Sequence, residues 1–252
     1  MGNNAQASGL TAGAASRPFK LIWGALATVL SVLYTAILAP FAALFAALDR
    51  PNWVSALGRV WAWLIIRTCG VKLEIEGLEN LAGLDACILV ANHQSFFDIF
   101  ATIVFIPGQV RFVAKRELLK IPIFGYALKN SEHVVIDRQS GGSAVRKAVK
   151  TIRSGRRMCV FAEGHRYSDN RVHEFNEGAA WLALAAKVQC VPMAFSGTAA
   201  FFPPKAKVVI PGGRMRMTLG KPISVEGLGS EDRTELTRRL EDAVRALFIA
   251  EL

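Results

Sequence analysis

A long uncharged apolar segment near the N-terminus most constrains how this chain can fold. Residues 21–48 contain no charged side chain. Their length exceeds the apolar core of a signal peptide, which is roughly 7 to 15 residues, so the segment is predicted to remain in the mature protein. As a helix, residues 21–39 alone would rise roughly 28 Å, close to the bilayer's hydrocarbon thickness of about 30 Å. A membrane-embedded helix is therefore expected here.

Two prolines divide this N-terminal region. Pro40 predicts a kink or stop near Ala39, and Pro51 opens a second segment in which apolar residues recur at helical spacing. Tryptophan and arginine at the edge of that apolar stripe are typical of a helix in the headgroup region. We predict a disordered N-terminus over residues 1–18 and a membrane-associated two-helix hairpin over residues 19–70. A single membrane span and a buried helical pair of a soluble domain are the alternatives.

The composition excludes a disordered chain and indicates a lipid partner. Of the 252 residues, 52% are apolar and 20% are charged, and the formal net charge is +10. A basic protein can bind nucleic acid, anionic lipid or a phosphorylated substrate, and charge alone does not choose among them. The high apolar content favours lipid, so membrane lipids are the expected partner and nucleic acid is not.

The cysteine pattern argues against a metal site. Cys69, Cys87, Cys159 and Cys190 form no Cys-x-x-Cys pair and have no histidine nearby at ligand spacing. A disulfide framework is also unexpected in a chain of this size. We predict four reduced, mostly buried thiols in a cytosolic redox environment and no metal.

From residue 71 to residue 252, short apolar runs alternate with helical stretches, which predicts an α/β layer fold. Eight strands are predicted, over residues 71–75, 87–91, 110–114, 134–136, 158–161, 191–195, 207–210 and 215–219. The chain has no GxGxxG or Walker-type loop, so nucleotide hydrolysis and dinucleotide chemistry have no support.

A basic helix is predicted over residues 143–153. Residues 138–157 hold seven Lys and Arg and no acidic residue. Apolar residues of this helix share one side, which leaves its basic residues facing outward. They form either a plain solvated face or a docking site for anions.

A histidine and an aspartate follow the predicted strand at residues 87–91. His93 and Asp98 are five residues apart, and this spacing does not place them on one helical face. Their side chains can meet only if His93 lies in a strand-to-helix turn and Asp98 curls back from the first helical turn, where α/β folds place chemistry. A histidine oriented by a carboxylate is a suitable general base for an alcohol. A histidine that caps the turn is the structural alternative.

Three further regions follow in order along the chain, and the first of them has two parts. Residues 112–118 read Phe-Val-Ala-Lys-Arg-Glu-Leu, and residues 121–125 follow with Ile-Pro-Ile-Phe-Gly. Residues 161–166 read Phe-Ala-Glu-Gly-His-Arg, and residues 191–197 read Val-Pro-Met-Ala-Phe-Ser-Gly. With the His-x4-Asp pair, they resemble the four ordered motifs of the glycerolipid acyltransferase family, over about residues 70–225.

The resemblance implies a fold, an activity and roles for particular residues. The implied fold is an α/β domain with a mixed sheet flanked by helices. The implied activity is transfer of an acyl group from acyl-CoA or acyl carrier protein to the free hydroxyl of a lysolipid, foremost lysophosphatidic acid, with no cofactor. His93 and Asp98 would form the general base. The matched substrate-binding positions are Lys115, Glu163, Gly164 and Arg166.

The positive charges of Lys115 and Arg166 suit the phosphate of such an acceptor, and the Arg166 guanidinium would bind it through two parallel N–H groups. Glu163 would hold an acceptor hydroxyl or orient Arg166. Surface ion pairs are the alternative for these side chains, and main-chain N–H groups at the His93 turn are candidate oxyanion donors.

Two positions depart from the family's third motif. Ala162 stands where the family has proline, and His165 stands where it has threonine. Both lie near the part of the site that the family uses for the acceptor. Another lysolipid acceptor, such as a lyso-ornithine lipid or a lysophospholipid with a headgroup, is therefore an alternative, as is a non-catalytic lipid-binding protein. The resemblance and the apolar segment together predict an enzyme of the cytoplasmic membrane with its active site facing the cytoplasm.

Overall fold

The structure is a computed structural model and describes residues 9–120, 133–136, 141–203 and 206–251. In these ranges the α-helices are α1 (Gly9–Ala47), α2 (Pro51–Thr68), α3 (Phe96–Phe105), α4 (Gly141–Arg153), α5 (Gly178–Ala186) and α6 (Arg233–Leu247). The strands are β1 (Lys72–Glu76), β2 (Ile88–Ala91), β3 (Val110–Lys115), β4 (Val134–Ile136), β5 (Arg157–Phe161), β6 (Cys190–Ser196) and β7 (Arg214–Leu219).

The strands form one mixed sheet in the order β1-β7-β6-β2-β5-β3-β4. Neighbouring strands run parallel except β6 and β7, which are antiparallel. The carboxyl ends of β2, β3 and β5 therefore lie at the same edge of the sheet, where chemistry is placed in folds of this kind. The predicted mixed α/β sheet flanked by helices is confirmed.

Helices cover both faces of this sheet. The core on one face is built from the sheet and helices α4, α5 and α6, and the core on the other face from the sheet and α1, α2 and α3. The central strands β2 and β6 are buried along their whole length, because helices cover them on both sides. The central strand β2 ends at Ala91, two residues before the predicted base His93.

Helix α1 differs from the sequence prediction at both of its ends. It runs through Pro40 to Ala47, so of the kink or stop predicted near Ala39 the stop is wrong, and it begins at Gly9, inside the predicted disordered terminus. A proline removes one main-chain hydrogen bond and crowds the preceding turn, which a helix of small and apolar residues can tolerate. Within the described residues, the segment Pro18–Ala47 is long and apolar enough to cross a membrane.

Polar side chains connect the first two helices. Trp23 Nε1 donates to the carbonyl oxygen of Thr68 at 2.9 Å, and the hydroxyls of Tyr34 and Thr68 lie 3.0 Å apart. Trp61 Nε1 of α2 donates to Thr35 Oγ1 of α1 at 2.9 Å. The Trp61 ring also meets Phe100 of α3 edge to face, with centroids 5.2 Å apart. Contacts thus run from α1 through α2 to the helix that follows the predicted catalytic turn.

The strand predicted over residues 207–210 is wrong. This stretch lies in the loop between β6 and β7, and its main-chain N–H groups are used elsewhere. The Val209 N–H donates to Thr28 Oγ1 of α1 at 3.1 Å, and the Ile210 N–H donates to the Phe201 carbonyl at 2.8 Å. The segment packs against α1 instead of joining the sheet, which no local sequence pattern indicates.

Candidate active site

The His-x4-Asp pair meets at the turn between β2 and α3. His93 Nδ1 lies 2.8 Å from Asp98 Oδ2, with His93 in the turn and Asp98 in the first turn of α3. The same Asp98 oxygen accepts the main-chain N–H groups of Gln94 at 2.7 Å and Ser95 at 2.9 Å. The geometry that the spacing required is confirmed, because the helix start that Asp98 caps also brings its carboxylate to the imidazole.

The His93 ring is held on a second side by an aromatic ring. It stacks on Phe161 at a centroid distance of 3.9 Å, and 13% of its side chain is exposed. Because Asp98 occupies Nδ1, Nε2 is the ring nitrogen through which His93 can bind a substrate hydroxyl. Phe161 ends β5, the neighbour of β2 in the sheet, so the sheet itself supplies this platform.

Glu163 holds the His93 turn from the opposite side. Its Oε2 accepts the main-chain N–H of His93 at 2.7 Å, and its Oε1 accepts that of His173 at 2.8 Å. The side chain is nearly inaccessible, and burial raises the pKa of its carboxyl to about 7. The two predicted roles of Glu163, holding an acceptor hydroxyl or orienting Arg166, remain predictions, because these contacts are to the main chain of His93 and His173.

The turn's main-chain N–H groups are therefore occupied. The N–H of His93 donates to Glu163, and those of Gln94 and Ser95 donate to Asp98. The prediction that these groups form an oxyanion hole is wrong for this structure, because each already has a carboxylate acceptor.

Gly164 and Arg166 follow Glu163 in the loop after β5. Gly164 has φ +70°, and a Cβ there would lie 3.0 Å from Asn176 Nδ2, so both its backbone conformation and its neighbour favour glycine. The Arg166 guanidinium carbon lies 4.0 Å from the ring centroid of Phe96, the first residue of α3. This contact places the cation beside the helix start that carries Asp98.

The charge of Arg166 is only partly compensated. Burial lowers the pKa of Arg166, and the charge of Asp98 opposes that effect. Its Nη1 is buried and has no hydrogen-bond partner in the part of the chain that the structure describes. A guanidinium in this state favours an anionic ligand, since a buried donor without a partner is costly.

The Lys-Arg-Glu-Leu segment at residues 115–118 is described mainly through its main chain. Lys115 is the last residue of β3, which ends at the same edge of the sheet as β2 and β5. The side chains of Lys115, Glu117 and Leu118 lie outside the described part of the structure, as do residues 121–125. Their predicted roles remain predictions.

Sequence reasoning missed several residues that shape the site. Asn92 forms two hydrogen bonds with the main chain of Phe195 at 2.9 and 2.8 Å, which tie the end of β2 to β6. The Tyr167 N–H donates to the carbonyl of His93 at 3.0 Å. The Gln94 amide is fully buried, and neither of its polar atoms has a partner among the described residues. Only the position of Asn92 beside His93 could have indicated its importance.

A second histidine–aspartate pair lies in the loop after β5. His173 Nε2 is 2.9 Å from the Asp169 carboxylate, and the Tyr167 ring stacks on the imidazole at 3.7 Å. Both side chains are far more exposed than those of His93 and Asp98. With Glu163 and His165, this loop lines an open polar cavity of about 450 Å³. His173 lies outside the residues predicted for the site, yet its main-chain N–H shares Glu163 with that of His93.

The four cysteines are buried and form no disulfide, as predicted. Burial raises the pKa of Cys87 to about 11 and that of Cys190 to about 12. The pKa of Cys159 is raised further by burial and by the charge of Asp98. Thiols in this state are poor nucleophiles near neutral pH.

Known proteins resemble this chain in sequence. A model of the Acyltransferase family matches residues 72–196. The chain is 32% identical over 209 residues to the chloroplastic 1-acyl-sn-glycerol-3-phosphate acyltransferase BAT2 of Brassica napus. This alignment covers 81% of this chain and 60% of that protein. It is 29% identical over 227 residues to the 1-acyl-sn-glycerol-3-phosphate acyltransferase of Pseudomonas aeruginosa, covering 87% of this chain and 82% of that protein.

The fold has a counterpart among solved structures. The crystal structure of PlsC, the 1-acyl-sn-glycerophosphate acyltransferase of Thermotoga maritima, aligns with a TM-score of 0.77 and 24% identity. The alignment covers 90% of this chain and 95% of that one. This likeness shows the fold, a mixed sheet flanked by helices. The matched region, residues 72–196, belongs to the Acyltransferase family, and the chain spans 60% of the length of the Brassica relative.

Proposed function

We propose that this protein is an O-acyltransferase that acylates the free hydroxyl of lysophosphatidic acid to give phosphatidic acid. One observation carries the proposal: the 2.8 Å contact between His93 Nδ1 and Asp98 Oδ2 at the sheet edge to which β3 and β5 also lead. The relatives named 1-acyl-sn-glycerol-3-phosphate acyltransferase support this acceptor.

The chemistry requires one base and no covalent acyl-enzyme. His93 Nε2 removes the proton of the acceptor hydroxyl while the oxygen attacks the carbonyl carbon of an acyl thioester. Asp98 keeps the proton of Nδ1 and stabilises the imidazolium that forms. The tetrahedral intermediate then breaks its carbon–sulfur bond, and the leaving thiolate takes the proton from His93. The product ester and a free thiol balance the reaction.

Binding of the acceptor phosphate would fall to Arg166 and Lys115. Arg166 has an unpartnered buried Nη1 and lies on the ring of Phe96, directly beside the helix start that carries Asp98. A guanidinium binds the phosphate oxygens through parallel N–H groups, which would orient the glycerol hydroxyl toward His93. Glu163 contributes by holding the main chain of His93, and Gly164 by allowing the loop to turn.

The acyl donor would be a thioester of coenzyme A or of acyl carrier protein. Helix α4 exposes Arg146, Lys150 and Arg153, and an open cavity of about 650 Å³ lies between α4 and α5. A basic surface suits both the phosphates of coenzyme A and an acidic carrier protein. Parallel assays with the two donors distinguish them, and no cofactor is required for either.

Membrane attachment would bring the enzyme to its substrates. The apolar side chains of α1 are exposed, with Leu21 and Ile22 each at 70%, and exposed apolar surface of this extent marks a lipid or protein contact. We propose that α1 and α2 form a hairpin in the cytoplasmic membrane and that the catalytic domain faces the cytoplasm.

Substitution of His93 tests the mechanism. His93→Ala removes the base, so conversion of labelled acyl thioester and lysophosphatidate to phosphatidate should fall by at least about a hundredfold. His173→Ala is the matched control, because it removes an exposed histidine that is also paired with an aspartate, and it should retain most of the activity. Turnover by the His93 variant at the wild-type rate, with the protein folded, would contradict the mechanism.

A panel of acceptors tests the substrate. His165 replaces the threonine of the family motif and lines the polar cavity beside Glu163. If the phosphate monoester is the recognised group, lysophosphatidate should be acylated faster than lysophospholipids with a larger headgroup and faster than lyso-ornithine lipid. Preference for either rival would replace the proposed acceptor and keep the reaction class.

A further inference from the structure

The loop between β6 and β7 carries an exposed aliphatic patch. Val208 is 39% exposed and Ile210 is 49% exposed, whereas Val209 between them is 9% exposed and belongs to the core on the α1–α3 face. The middle valine thus anchors the loop and leaves both neighbours in contact with solvent. Two branched aliphatic side chains make only a small patch, so the surface that they adjoin decides which partner they contact.

This loop is hydrogen-bonded to the apolar helix α1. The Val209 N–H donates to Thr28 Oγ1 at 3.1 Å. A Cβ at Gly24 would lie 2.3 Å from the Val209 carbonyl oxygen, so the helix and the loop approach as closely as glycine permits. The patch therefore continues the exposed apolar surface of α1.

The other end of the same loop contacts the catalytic turn. Ser95 Oγ donates to the carbonyl of Phe202 at 3.4 Å. The ring of Phe202 lies 5.8 Å from that of Phe96, the ring that carries the Arg166 guanidinium. One short segment thus joins α1 to the start of α3.

We propose that Val208 and Ile210 form a second membrane contact, in which they enter the lipid beside α1 and hold the catalytic turn at the bilayer surface. The partner is a phospholipid bilayer, because the patch is aliphatic and adjoins a helix whose apolar face is exposed. Lys207 is also exposed and supplies positive charge for anionic headgroups next to the patch. The inference rests on the membrane association proposed above.

Site-specific fluorescence tests the contact. The four native cysteines are buried, so Ile210→Cys can be labelled selectively with an environment-sensitive fluorophore in the full-length protein. In vesicles of phosphatidylcholine and phosphatidylglycerol with brominated acyl chains, we expect a blue shift and quenching. Ser230→Cys is the control, since Ser230 is exposed ahead of α6 on the other face of the sheet, and its label should stay unquenched.

Fluorescence is measured only on protein that floats with the vesicles. All of this protein is membrane-bound, so quenching at residue 210 reports the loop contact and not membrane binding by α1. A label at residue 210 that remains as unquenched as the one at residue 230 would overturn the proposal.

Kinetics provide an independent readout. Ile210→Asp should raise the apparent KM for vesicle-borne lysophosphatidate about tenfold, the effect of losing one buried aliphatic side chain. Its kcat with a short-chain, water-soluble acceptor should match that of the wild type, and Ile210→Leu should behave as wild type in both assays. An unchanged KM, or an equal loss with the soluble acceptor, contradicts a lipid contact. Absence of acylation by the wild type would instead contradict the proposed function and leave the fluorescence test intact.

Discussion

At the scale of single residues, the site depends on two carboxylates that immobilise one histidine. Asp98 binds the imidazole and two main-chain N–H groups through a single oxygen. Glu163 binds the N–H of His93, and the Tyr167 N–H binds its carbonyl. Both the main chain and the ring of His93 are thus held in place, which limits their motion as the proposed role of general base requires.

Glu163→Gln tests the contribution of this buried carboxyl to stability. Burial raises its pKa from 4.5 to about 7, so it stabilises the fold when protonated, and that contribution is lost as the pH rises through about 7. Glutamine does not titrate. As the pH rises from 4.5 to about 7, the free energy of unfolding of the wild type should therefore fall more than that of the variant. The difference should reach up to about 3 kcal/mol, since one pKa unit corresponds to about 1.4 kcal/mol.

The measurement is denaturant unfolding in detergent, monitored by tryptophan fluorescence, at several pH values between 4.5 and about 7. The variant also loses one acceptor for a main-chain N–H, which lowers its stability at every pH and does not alter the slope. Identical pH dependence of the two proteins would show that Glu163 has an ordinary pKa.

At the scale of elements, the contact between α1 and the β6–β7 loop is the least expected feature. It replaces the predicted strand over residues 207–210, and Thr28 and Val209 are 181 residues apart in sequence. Such a contact packs the apolar helix α1 and the α/β domain into one unit, since the loop also reaches the start of α3.

Gly24→Ala tests this packing, with Gly58→Ala as its matched control. The new methyl group would lie 2.3 Å from the Val209 carbonyl oxygen in the first variant, whereas in the second its nearest neighbour, Ile103 Cγ2, would be 3.9 Å away. We expect Gly24→Ala to lower the free energy of unfolding by about 1–3 kcal/mol through overpacking. Gly58→Ala should raise it by up to about 1 kcal/mol through helix propensity. Thermal unfolding of both variants gives the comparison, and equal melting temperatures would argue against the close contact.

At the scale of the whole molecule, the two faces of the sheet have different surfaces. The face covered by α1, α2 and α3 exposes aliphatic and tryptophan side chains, with Trp53 at 60% and Trp63 at 49%. The other face carries the basic helix α4. This asymmetry would orient the protein at a bilayer with α1 and the 208–210 patch toward lipid.

Fractionation tests the association. If apolar insertion of α1 holds the protein, it should sediment with membranes, remain there through a high-salt wash and be released by detergent, because salt screens charge and leaves apolar contacts intact. Release by salt alone would indicate attachment through the basic surface and would contradict insertion.

Interactions close in the chain were readable from the sequence. The uncharged run at residues 21–48 determined an apolar helix, alternating apolar runs determined seven of the eight predicted strands in the described part of the chain, and the spacing of His93 and Asp98 determined how they had to meet. Each of these depends on residues within one helix, strand or turn, so its pattern is written locally.

Only the tertiary structure decided contacts between distant segments. Glu163 and His93 are 70 residues apart, and either could have had other partners. The 207–210 segment has the apolar content of a strand, yet the Val209 N–H donates to the hydroxyl of Thr28 on α1. Helix α1 itself continues through Pro40. In each case several local arrangements have similar free energy, and packing against a remote element selects one of them.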